Sequence, residues 1–113
     1  MAARLGGEMT DDQRAALDLL EIFLRAHYHE YKWDILGTTR VLELFPPNHP
    51  YRVDLSRAFR EVLSTALPPG TLTRLVQNEA NRFVLNDEEA HSYLKNLYDD
   101  LHLDFEEPCD GDR

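Results

Sequence analysis

Between Ala15 and His27 the sequence leaves room for only one narrow polar stripe. Arg14, Asp18, Glu21 and Arg25 fall at i, i+4, i+7 and i+11, a single face of a 3.6-residue repeat. The intervening Ala15, Ala16, Leu17, Leu19, Leu20, Ile22, Phe23, Leu24 and Ala26 are all apolar. A surface helix shows the reverse, an apolar stripe on a polar cylinder. The spacing therefore predicts a helix over 10–27 packed on most sides, with other helices around it. Its start is marked. Thr10 and Gln13 have the spacing of a capping box, and Asp11 and Asp12 suit the positive end of the helix dipole. Glu21 and Arg25 form an i, i+4 pair in the favourable order.

The remaining turns are written in proline and glycine. Residues 1–9 read as a loose N-terminal end. Gly37 reads as a break, after which Thr38 or Thr39 would cap a short helix through Val41, Leu42 and Phe45, stopped by Pro46-Pro47. Pro50 suits a first helical turn. From there Tyr51, Leu55, Ala58, Phe59, Val62, Leu63 and Ala66 recur at helical spacing over 50–66, with Arg52, Arg57, Arg60 and Glu61 on the outer side. Pro68-Pro69-Gly70 ends that helix, and Thr71 is placed to cap the next, with Leu72, Leu75, Val76, Ala80 and Phe83 on one face. Asn86 and Glu89 read as the capping pair of a last helix over 87–102, with Ala90, Leu94, Leu97 and Leu101 inward and Tyr93 and Tyr98 on its flanks. No alternating strand pattern persists. The expectation is an all-α bundle of about five helices, a single domain over 10–103 with an acidic tail over 104–113.

The 113-residue chain carries a net charge of −9, and its distribution matters more than its size. Met1 to Asn86 holds 10 basic and 11 acidic residues, whereas Asp87 to Arg113 holds 2 and 10. Such a balance argues against a nucleic-acid or anionic-membrane surface, both of which select for basic protein. It favours a basic protein partner. Met1 to Glu8 lacks the apolar core of a signal peptide, and the single cysteine, Cys109, excludes an internal disulfide. Both fit a cytoplasmic protein.

Chemistry is poorly represented. His27, His29 and Glu30 supply too few convergent ligands for a zinc site and read as ordinary helix-end residues. No phosphate loop, nucleophile elbow or activated cysteine occurs, so neither an enzyme nor a cofactor is expected. The acidic residues of the last helix separate into two groups. Asp87, Glu88 and Glu89 suit its first turn. Asp99, Asp100 and Asp104 oppose the dipole at the other end, and with Glu106 and Glu107 they form an anionic patch that helix stability does not require. Asp99, Asp100, Asp104 and Glu106 are therefore candidate partner contacts, with Glu88 and Tyr31 as weaker ones. Trp33 is expected in the core.

Leu24-x-x-x-Tyr28-His29-Glu30, followed by Trp33-Asp34 and Gly37-Thr38, resembles the opening motif of the small immunity proteins of contact-dependent growth inhibition and related polymorphic toxin systems. The later order is also similar: a long helix, Leu67-Pro68-Pro69-Gly70, Leu72 to Asn81, Phe83, then Tyr93-Leu94 and Leu97. One difference stands out. That family usually has aspartate directly before tryptophan, whereas here Lys32 precedes Trp33 and Asp34 follows it. The resemblance implies an all-helical, non-catalytic cytoplasmic protein that forms a 1:1 complex with one cognate toxin domain, often a basic nuclease. The alternative is a helical adaptor or regulatory module binding a peptide between helices.

Overall fold

Thr10 opens the first helix as its spacing predicts: its hydroxyl accepts from Gln13 N, and Gln13 Oε1 accepts from Thr10 N, both at 3.0 Å. The computed structural model describes residues 9–103, so Asp104 and Glu106 lie outside the described residues. Among the described residues there are five helices and no strand. They are α1 (Asp11–His27), α2 (Asp34–Leu44), α3 (Pro50–Ser64), α4 (Thr71–Arg74) and α5 (Asp87–Asp100). The last turn of α4 widens directly into a π-helical turn, Leu75–Glu79. The helices make one flattened body, 43 × 41 × 19 Å between Cα extremes, about two helix diameters thick.

The buried face of α1 is Ala16, Leu17, Leu20, Phe23 and Leu24, and it packs on α3, the π-turn and α2. It is less enclosed than its composition predicts, because Ala15, Ile22 and Ala26 are exposed. Helices α1 and α3 run antiparallel. Gln13 ties them, its amide donating to Thr65 Oγ1 and Ala66 O at the end of α3, each at 3.0 Å. Phe23 sits at the centre, edge-on to Phe59 and to the buried Tyr28. Arg25 does not pair with Glu21. It reaches across to Glu79 in the π-turn, 2.6 Å from Nη2 to Oε1, because that carboxylate is presented from a packed neighbour rather than along the helix.

Gly37 is not a break. It is buried inside α2, where the helix crosses the end of α1. A Cβ there would lie 2.3 Å from His27 O and 2.8 Å from the Tyr28 ring, so glycine is what allows the crossing. Thr38 is likewise no cap. Its buried hydroxyl pairs with Tyr28 Oη at 2.7 Å.

Arg52 is the largest departure from the expected outer face of α3. It is 3% exposed, and its Nη2 donates to Leu101 O at 2.6 Å and to His102 O, while Nη1 donates to Phe45 O. One guanidinium thus satisfies carbonyls at the C-terminal ends of both α5 and α2, where the dipole favours a cation. Ser56 adds a bond to Leu103 O. Beyond Asp100 the helix is closed by His102 in the left-handed region and a Leu103 N to Tyr98 O bond, a Schellman arrangement. The inner face of α5 is as the periodicity predicts: Ala90, Leu94, Leu97 and Leu101 are buried, with Tyr93 and Tyr98 half-buried beside them.

The start of α4 is capped from outside. Gly70, at φ 86°, precedes it without a side-chain cap. Asp87, the first residue of α5, accepts from Gly70 N, Thr73 N and Thr73 Oγ1. Thr71 is not the cap, and Asp87 serves two helix N-termini. The π-turn then ends at Ala80, Asn81 takes a positive φ, and Phe83 leaves the helical face it was expected to share.

Candidate protein-binding surface

Helix α2 is built inside out. The residues it buries are Gly37, Thr38 and Val41, all small or medium-sized. The large ones face outward: Ile35 is 65% exposed, Leu36 48%, and Trp33 immediately before the helix 60%. Burying small residues against α1 follows from the close crossing at Gly37, which leaves no space for larger ones. About half or more of each of these outward-facing side chains is left uncovered by the described chain. Trp33 is therefore a surface residue, not a core one, because the extended residue before α2 points away from the crossing.

A second segment is fastened to this helix. Arg82 donates from Nε to Asp34 Oδ1 and from Nη2 to Tyr31 O, both at 2.8 Å, and its Nη2 also lies 2.8 Å from Asp34 Oδ1 as an ion pair. Tyr93 Oη donates to the same Asp34 oxygen at 2.9 Å. Burial and the adjacent Asp34 push the Tyr93 hydroxyl well above its ordinary pKa, so it remains a donor. The chain from Arg82 to Leu85 is neither helix nor strand. Arg82 and Val84 turn inward, while Phe83 and Leu85 turn out, 82% and 67% exposed. An exposed phenylalanine is uncommon, and five large apolar side chains on two segments joined by one ion pair are more so. Interfaces are enriched in such aromatic anchors beside a polar rim.

The predicted contact residues divide around this face. Tyr31 is half-buried beside it, its carbonyl held by Arg82. Glu88 is exposed and lines a shallow groove with Val84, Asn86, Ser92, Tyr93 and Asn96, so it borders the same face. Asp100 is exposed and shares a helical stripe with Tyr93 and Asn96. Asp99 lies on the stripe of Glu88 but about 16 Å along the axis from it. It is engaged by Lys95 at 2.9 Å. Asp99 and Asp100 are adjacent and both exposed, while Asp104 and Glu106, the other members of the expected patch, lie outside the described residues. The structure sets Glu88 and Asp100 towards opposite ends of α5.

Sequence reasoning missed Ile35, Leu36, Phe83 and Leu85. One signal was present: the stretch from Trp33 to Phe45 holds more large apolar residues than one helical stripe can bury. The Asp34–Arg82 link, spanning 48 positions, had none. No group of three or more histidine, cysteine or acidic residues suited to a metal occurs among the described residues. No described helix is long and apolar enough to cross a membrane. Comparison with protein-family models, with curated proteins and with solved structures found no match.

Proposed function

We propose that this chain is a protein-binding module of the immunity type, which engages and neutralises a cognate toxin domain of a contact-dependent growth inhibition system. The observation that carries the reading is the outward-facing apolar set of Trp33, Ile35, Leu36, Phe83 and Leu85 around the Asp34–Arg82 ion pair. Such side chains are costly in water, and a protein surface that covers them recovers roughly 1.5–3 kcal/mol for each one fully buried. The charge of −9 supports a basic partner, such as a domain that grips phosphates. Glu88 and Asp100 supply a charged rim that guides approach. Asp99 is a weaker contributor because Lys95 already holds it.

The test is co-production with the toxin domain that this reading expects, a basic C-terminal domain of a large secreted protein encoded beside this chain. The chain should bind that domain 1:1 and restore growth. Trp33→Ala and Phe83→Ala should each weaken the complex by about 2 kcal/mol or more, as anchor residues do, with helix content unchanged by circular dichroism. Wild-type affinity in both variants would contradict the assignment.

A further inference from the structure

Asp34 carries an inference that rests on this reading and extends it to what the partner presents. Its Oδ1 accepts two internal hydrogen bonds, from Arg82 Nε and Tyr93 Oη, and lies 2.8 Å from the charged Arg82 Nη2. Its Oδ2 receives none among the described residues, although the side chain is 38% exposed. A carboxylate oxygen can accept two hydrogen bonds. These internal contacts anchor the carboxylate before any partner arrives, so less order remains to be imposed on binding.

The surroundings decide which group Oδ2 selects. Trp33 and Ile35 flank Asp34 in sequence, and Phe83 follows the arginine that holds it; all three are exposed. A partner that covers these side chains also removes water from Oδ2. A covering surface without a donor would leave a buried, unpaired carboxylate oxygen, which is strongly penalised. A cationic donor satisfies it, and in a dry setting the bond gains strength. The Trp33 ring beside it is a surface a cation can approach, as Lys32 Nζ does at 5.6 Å from its centroid. We infer that Asp34 Oδ2 is the receptor for a basic side chain projecting from an apolar region of the partner protein. Arginine is preferred over lysine because its fork can bond the carboxylate while its plane lies along an aromatic ring.

The full chain, labelled with nitrogen-15, is titrated with two blocked tripeptides, Leu-Arg-Leu and Leu-citrulline-Leu. Citrulline keeps the length and planarity of arginine without its charge. The arginine peptide should shift the Trp33 indole signal and the amides of 33–36 and 82–85, and bind about fivefold more tightly than the citrulline peptide, as an exposed ion pair allows. In Asp34→Asn, which retains an acceptor for Arg82 and Tyr93, the preference should vanish. In Leu36→Ser both peptides should weaken alike. Equal binding of the two peptides to the wild-type chain, a preference that survives in Asp34→Asn, or shifts absent from these residues would overturn the inference. The wild-type comparison decides the matter even if Asp34→Asn does not fold. Equal binding at this face removes the Asp34 assignment and leaves the docking surface standing. Failure to protect cells, with the arginine preference intact, removes the toxin-neutralising role instead.

Discussion

His27 lies against Phe23 and Phe45, with ring centroids 5.3 and 6.2 Å away, and its Nδ1 is buried without a partner among the described residues. Burial, and to a lesser degree the nearby Arg40, lowers its pKa below the ordinary 6.5. The unfolded chain then binds the proton more readily, so the stability His27 contributes is full above 6.5 and is lost as pH falls below it. Thermal melting between about pH 7.5 and about pH 5.5 should show a shallower decline for His27→Phe than for the wild type. Asp87 behaves in the same direction at lower pH. The Thr73 hydroxyl first, then the Gly70 and Thr73 amides, hold its carboxyl below 3.8. Its contribution is present above 3.8 and lost as pH falls through the depressed folded value. Urea unfolding should show Asp87→Asn less stable by about 1 kcal/mol at neutral pH, with the difference closing in acid. Gly37→Ala should cost about 1–3 kcal/mol, the range for forcing atoms into a packed site. An unchanged urea midpoint would mean that α1 and α2 can separate without penalty. None of these three residues announces its role in sequence. His27 reads as a helix-end residue, Asp87 as a first-turn acid of its own helix, and Gly37 as a break, because each role depends on which remote backbone it meets.

The elements themselves are more legible. The Thr10–Gln13 box, the stop at Pro46-Pro47, the start at Pro50 and the Asn86–Glu89 cap are local contacts, and local chemistry writes them directly. The inward face of α5 follows from its 3.6-residue period. Helix α2 shows where that logic stops. Its small residues face the core and its large ones face out, so hydrophobicity ranks its faces in the wrong order. The exposed side of Trp33, Ile35 and Phe83 became visible only once α2 was seen crossing α1 at Gly37. The burial of Arg52 is hidden from the sequence for a related reason. A cation at that position of α3 looks solvent-facing until α2 and α5 both end against it. Arg52→Met should leave those carbonyls short of donors and cost about 2 kcal/mol. It should also raise hydrogen exchange at the ends of α2 and α5 before the centre of α3. Uniform exchange along α3 and α5 would show that the guanidinium does not pin the two termini.

At the scale of the molecule, apolar anchoring and acidic steering are separable. The large side chains sit on α2 and the 82–85 segment, while the excess of negative charge lies from Asp87 onward. Anchors govern dissociation, and distant charges govern association and its salt dependence. Reversing Asp99 and Asp100 to lysine should slow association and flatten its salt dependence, with little change in dissociation. Replacing Ile35 and Leu36 by serine should do the opposite and leave the melting temperature near that of the wild type. The most direct test is growth of cells producing the proposed toxin partner together with this chain or with its Trp33→Ala/Phe83→Ala form. Growth restored by the wild type and lost in the double variant, both folded and equally abundant, is the predicted result. Equal protection by the two, or by neither, would contradict the account.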